Sequence, residues 1–105
     1  MSLVVIVYRL CEKLPKTELY SLQDQMKRAA VSIPSNIAEG QARGSKEFIQ
    51  FLKIARGSRA ELETQLLICV HLKFLSDADI DLALSTMEEI SKMTLALMKK
   101  LKSQN

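Results

Sequence analysis

The chain has 105 residues, 48% of them apolar and 26% charged, with 15 Lys and Arg against 12 Asp and Glu for a net charge of +3. That length bounds the protein to one domain, able to bury a working core without disulfides or metal. Three Gly, two Pro and no Trp leave little material for a turn-rich β fold and point to an all-helical one. The charge is uneven: residues 1–59 hold ten Lys/Arg against five Asp/Glu, and residues 60–105 hold five against seven. A basic half of this size suits nucleic acid or another anionic surface, and equally a solvated charged face. Cys11 and Cys69 lie far apart in no metal-type spacing, and read as buried apolar residues of a reducing compartment rather than as a disulfide.

Leu3 to Val7 is apolar but far too short to span a bilayer, and it lacks the basic leader and small-residue cleavage site of a signal peptide. A cytoplasmic protein without membrane contact is expected. Val4, Val5, Ile6 and Val7 favour strand locally, but no second strand follows to pair with them. Leu3 to Leu14 is therefore assigned as helix 1, ended by Pro15 and covered on more than one side. Thr17 to Tyr20 is a connection. Ser21 caps helix 2, with Asp24 in the first turn. Leu22, Met26, Ala29, Ala30, Ile33 and Ile37 recur at helical spacing through Pro34 without a change of phase. This predicts one helix, kinked near Ala30, rather than two. Gly44 suits a left-handed cap at its end.

Ser45 is the expected N-cap of helix 3, which runs to about Phe74, roughly 45 Å at 1.5 Å per residue. Phe48, Phe51, Leu52, Ala55, Ser58, Leu62, Leu66 and Cys69 fall on its inner side. Ser76 and Asp77 cap helix 4. Its inner set is Ile80, Ala83, Leu84, Met87, Ile90, Thr94, Leu97, Met98 and Leu101. Lys99, Lys100 and Lys102 suit its C-terminal end, and its last residues are expected to fray. Four helices with short connections predict an antiparallel up-down four-helix bundle spanning residues 1–105.

The motif Gln25, Arg28-Ala29-Ala30-Val31-Ser32-Ile33-Pro34, Asn36-Ile37-Ala38-Glu39-Gly40 is followed by Phe48, Phe51-Leu52, Ile54-Ala55-Arg56-Gly57-Ser58, Glu61-Leu62-Glu63 and Gln65-Leu66. This pattern resembles the 23S rRNA intervening-sequence proteins. It also resembles the related accessory variability determinants of diversity-generating retroelements. The resemblance implies a four-helix bundle that assembles as a homopentamer. For the retroelement branch it implies a basic surface that binds RNA or DNA, and a partner reverse transcriptase. For the other branch it implies only a gene placed within ribosomal RNA genes. The family pattern has a longer lead-in with an aromatic residue before helix 1, and Gly where Ser21 stands; the absent lead-in bears on how helix 1 docks and on assembly.

Three sets of residues are candidates for function. Lys27, Arg28, Arg43, Lys46, Lys53, Arg56 and Arg59 form the basic set. Lys46 and Lys53 are two turns apart on one face, which suits successive phosphates. Because Phe48 and Phe51 point inward, base stacking is not expected, and contact should be backbone-directed. Ion pairing along the helix surface, such as Glu47 with neighbours three or four residues away, is the plainer role for the same residues, and a structural one is Arg28 reaching Glu39 or Glu61 inside the assembly. The second set is Gly57, Ala60, Leu67, Ile68, Leu82 and Met93, small or apolar residues outside the inner stripes. Gly inside a helix costs about 1 kcal/mol relative to Ala, so Gly57, with Ala60, reads as a point of close approach by a second chain or by a phosphate backbone. Scattered surface hydrophobes are the alternative. The third set is Asn36, Glu39, Glu61 and Gln65, expected to converge as a structural polar network. Glu39 and Glu61 look superficially like an acid/base pair, but no Glu-x-x-His motif or nucleophile signature accompanies them. The sole histidine, His71, is expected at a surface. No catalytic residue, metal or cofactor is assigned.

Overall fold

A computed structural model describes residues 2–18 and 20–104. Four helices follow one another: α1, Leu3–Cys11; α2, Leu22–Arg43; α3, Ser45–His71; and α4, Asp77–Gln104, with a 3-10 turn at Lys16–Glu18. No strand occurs among the described residues. Leu19, part of the expected Thr17–Tyr20 connection, lies outside them. No described helix is long and apolar enough to cross a membrane.

The β-branched run of α1 is helical because its burial outweighs its local strand preference. Leu3, Ile6, Val7, Leu10 and Cys11 are buried, while Val5 and Tyr8 remain exposed. Cover therefore comes from one broad side rather than all round. Ser2 caps the helix, its Oγ accepting from Val5 N at 3.3 Å. The α-helix stops at Cys11, short of the expected Leu14, and the chain tightens there: Glu12, Lys13 and Leu14 N donate three residues back, to Arg9, Leu10 and Cys11 O at 3.2, 3.0 and 3.1 Å. Leu14 still reaches the core.

α2 passes through Pro34 as one helix. Ser21 precedes it without capping: its hydroxyl donates to Glu18 instead, at 3.2 Å. The junction with α3 is a single residue. Gly44 has φ 110° and ψ 169°, so it takes the positive φ expected of it but with an extended ψ, and it acts as a hinge. It also holds the cap position that Ser45 was expected to fill, and Ser45 is the first residue of α3. α3 ends at His71 in a Schellman closure. Phe74 N donates to Cys69 O at 2.9 Å and Lys73 N to Val70 O at 3.0 Å. Lys73 takes the left-handed conformation, φ 63°. Ser76 then caps α4 reciprocally. Its Oγ accepts from Asp79 N at 3.1 Å, and its own N donates to Asp79 Oδ2 at 2.9 Å. α4 runs to Gln104.

The main core joins all four helices around Val7, Met26, Ile33, Leu62, Leu66 and Met87. A second cluster sets Ile49 and Leu52 of α3 against Met98 and Leu101 of α4. Further along α3, Arg56 meets Ser91 and Thr94. Progress along α3 is thus matched by retreat along α4. The expected inner set of α4 is buried or half-buried throughout. On α3, Ile49 and Gln65 are buried where the expected stripe omitted them, and Phe48 and Phe51 are half-buried.

Candidate functional site

The basic set divides by what each side chain touches. Within the chain, Arg28 pairs with Asp24 on its own helix at 3.0 Å. Arg43 donates to Glu39 from Nε and Nη2 at 3.0 and 2.7 Å, and approaches Glu47 across the hinge at 3.5 Å. These carboxylates hold the Arg43 guanidinium above its ordinary pKa, the hydrogen bond to Glu39 first. Lys27 lies over the Tyr8 ring at 5.0 Å, a cation–π contact linking α2 to α1.

Arg56 and Arg59 turn toward α4 rather than toward solvent. Arg56 Nη1 donates to Ser91 O and Oγ at 3.3 and 3.1 Å and to Thr94 Oγ1 at 3.5 Å. Its planar fork suits such a group of acceptors. Arg59 pairs with Glu63 at 3.2 Å with a quarter of its side chain exposed, and its buried Nε has no partner. Lys46 and Lys53 differ from the other five. Both are exposed, and neither has an ion-pair or hydrogen-bond partner among the described residues.

The four polar residues expected to converge fall into separate groups. Asn36 Nδ2 donates to Ser32 O and Oγ at 2.8 and 2.9 Å. Glu39 is taken by Arg43. Gln65 Nε2 donates to Glu61 Oε1 at 3.2 Å, while its own Oε1 is buried without a partner. Away from the Arg43–Glu47 pair at the junction, α2 and α3 are joined by a side-chain hydrogen bond that the sequence reading missed: Ser32 Oγ and Ser58 Oγ lie 2.7 Å apart. Both serines sit within the quoted motif, and small hydroxyls on facing stripes are the signal that marks them. Glu39 and Glu61 are both exposed and are held on separate helices by separate partners, Arg43 and Gln65, so they do not face each other as an acid/base pair. Among the described residues, no group of three or more His, Cys, Asp or Glu is placed to hold a metal.

The outward apolar set is exposed throughout: Leu67 45%, Ile68 42%, Leu82 56% and Met93 70%. Ala60 is exposed as well. Gly57 is exposed, and a Cβ built on it meets nothing within 4 Å. No neighbour within this chain therefore requires a glycine there. Gly40 is the opposite case. A Cβ on it would lie 2.6 Å from Phe51 Cβ and 2.9 Å from Phe48 Cδ1. Met93 also lines an apolar cleft of about 360 Å³ with Val4, Pro34, Ile37 and Leu97.

Both cysteines are free and buried. Burial pushes the Cys69 thiol up to about 11, with nearby Cys11 and Glu18 adding to the effect. Burial raises Cys11 as well, against the pull of Lys27.

A search of curated proteins finds no match to the chain. The model of the family described as 23S rRNA-intervening sequence protein matches residues 1–96. That span takes in all of α1, α2 and α3 and most of α4, and the chain belongs to the 23S rRNA-intervening sequence protein family.

Proposed function

We propose that the protein is a non-enzymatic helical-bundle scaffold that associates with RNA or DNA through a basic surface on α3. The observation that carries this reading is the pair Lys46 and Lys53, exposed and without partners among the described residues. Seven residues apart, they rise about 10 Å along one side of the helix. That is close to three axial steps of one nucleic-acid strand. The arginines of the basic set already have partners in the fold, so the lysines are the cations left for phosphate. Phe48 and Phe51 are half-buried against Gly40, which leaves backbone contact rather than base stacking as the mode of binding. Filter binding across a salt series tests this. Affinity at low salt that falls steadily with added salt supports it, and no affinity at low salt overturns it.

The bundle in this reading is antiparallel and up-down. Its support is the matched retreat of α4 against α3 and the one-residue hinge at Gly44. The scaffold is oligomeric in this reading; the second reading is a protein–protein interaction module whose basic residues serve only assembly, and self-assembly is common to both. It is favoured by the open position of Gly57 and by exposed Leu67, Ile68, Leu82 and Met93, since clustered exposed apolar residues mark interfaces. In this reading the assembly is a homopentamer, the state that the family resemblance implies. Light scattering at micromolar concentration checks it, and a monomer there contradicts it. The retroelement resemblance adds a reverse transcriptase as partner. A neighbouring reverse-transcriptase gene supports that branch, and placement within a ribosomal RNA gene supports the other. Two free, buried cysteines fit a reducing, cytoplasmic setting.

A further inference from the structure

The packing of α4 against α3 gathers charges that are far apart in the chain. Met98 and Leu101 cluster with Ile49 and Leu52, so the last turns of α4 lie beside the first turns of α3. Lys99, Lys100 and Lys102 are exposed, and none has an ion-pair partner among the described residues. Their directions follow from 100° per residue. Lys46 and Lys53 stand about 70–90° round α3 from the Ile49–Leu52 line. Lys99 and Lys102 stand about 70–130° round α4 from the Met98–Leu101 line, in the same rotational sense. Because residue numbers rise along α3 as they fall along α4, the same sense on both helices means the same side of the pair. Lys100 is turned to the other side. Higher up, the same flank is open as a groove between Glu63 and Leu67 of α3 and Leu84 and Glu88 of α4. Arg59 and Ser91 line it too, and its two carboxylates are paired, Glu63 with Arg59 and Glu88 with Lys92.

We propose that Lys99 and Lys102 complete the phosphate-binding surface begun by Lys46 and Lys53, and that the ligand is the sugar–phosphate backbone of a nucleic-acid duplex. This rests on the nucleic-acid reading above and extends it to α4 and to a class of substrate. Neighbouring packed helices lie about 8–10 Å apart; Lys46 and Lys53 rise about 10 Å along α3 and Lys99 and Lys102 about 4.5 Å along α4, so the four cations stand in two rows on a fixed helical frame. A fixed frame suits a duplex, whose phosphates are held in place. A flexible single strand is bound largely by stacking on aromatic rings. Phe48 and Phe51 are half-buried, Tyr8 lies under Lys27, and the exposed Tyr20 stands at the other end of α2 from the Gly44 junction, away from the four lysines.

The test measures binding of an RNA duplex, and of one of its strands alone, to the full chain across salt. The proteins compared are wild type, K46Q/K53Q, K99Q/K102Q and K100Q. All five sites are exposed, and circular dichroism checks that each variant keeps its helices. K99Q/K102Q is expected to lower the salt slope by about two, as K46Q/K53Q does, since each phosphate contact contributes about 0.9. K100Q is expected to bind like wild type, and the duplex to bind more tightly than the strand. Binding by K99Q/K102Q equal to wild type, while K46Q/K53Q loses it, overturns the α4 contribution alone. A single strand held more tightly than the duplex overturns the ligand class. Wild type that binds neither probe overturns the underlying nucleic-acid reading as well.

Discussion

Gly40 of α2 and Phe51 of α3 are packed so closely that a methyl group cannot fit between them. A Cβ on Gly40 would sit 2.6 Å from Phe51 Cβ and 3.3 Å from Phe48 Cα, atoms that cannot swing aside as a side-chain tip can. The close approach lets α2 and α3 meet just four residues from the Gly44 hinge. Alanine gains about 1 kcal/mol of helix preference over glycine, and overpacking a tight site costs about 1–3 kcal/mol. Gly40→Ala is therefore expected to lower stability by about 1 kcal/mol. Gly57→Ala, where the space is open, is expected to raise it by about 1 kcal/mol. Urea unfolding of both variants checks the contrast, and a Gly40→Ala protein as stable as Gly57→Ala contradicts it.

Lys73 closes α3 in a conformation that side chains avoid, φ 63°. The Schellman position it fills is usually glycine. Lys73→Gly is expected to stabilise the protein by up to about 1 kcal/mol, relieving the strain of the left-handed region. Thermal unfolding checks the direction. A lower melting temperature shows that the lysine side chain contributes something its exposed placement does not reveal.

Asp79 links the start of α4 to the α1–α2 connection through Lys13 at 2.8 Å. The hydrogen bond from Lys13 comes first, and those from Ser76 follow, in holding its carboxyl down to about 2. The unfolded value is near 3.9. A depressed carboxylate adds stability that is fully present above the unfolded value and lost as pH falls through the folded one. Unfolding midpoints measured from pH 5 to pH 2 should fall less steeply in Asp79→Asn than in wild type. Parallel pH profiles contradict the assignment.

Cys11 and Cys69 carry raised pKa values through burial. Only the thiolate reacts rapidly, so both should label slowly in the folded protein at neutral pH and rapidly in denaturant. Fast labelling of either without denaturant contradicts its placement in the core.

Long periodic stretches were legible from the residues alone. The stripe through Pro34, the inner face of α4 and the Ser76 cap stand where spacing and cap chemistry place them. Junctions were less legible. Gly44 was expected as a helix cap and Ser45 as the next one, but a single hinge residue does both tasks, and nothing local distinguishes these outcomes. The basic set was legible as a set but not by partner. Lys46 and Arg56 look alike in sequence, and only packing against Ser91 and Thr94 draws Arg56 inward. The part played by Gly40 was invisible for the same reason. Its neighbours Phe48 and Phe51 reach it only after the chain turns back at Gly44. Lys99 and Lys102 read as helix-end charges because their nearness to Lys46 depends on how α4 lies against α3.

The claim that unpaired lysines rather than paired arginines present the protein to nucleic acid is tested most directly by one comparison. Affinity for an RNA duplex is measured across salt for wild type, K46Q/K53Q and R28Q/R43Q. The prediction is a linear fall of log affinity with log salt in wild type. Removing the two lysines should reduce the slope by about 1.8, at 0.9 for each phosphate contact. R28Q/R43Q should change it less, because Arg28 and Arg43 are already engaged by Asp24 and Glu39. Identical slopes for wild type and K46Q/K53Q, or no affinity at low salt, contradict the account.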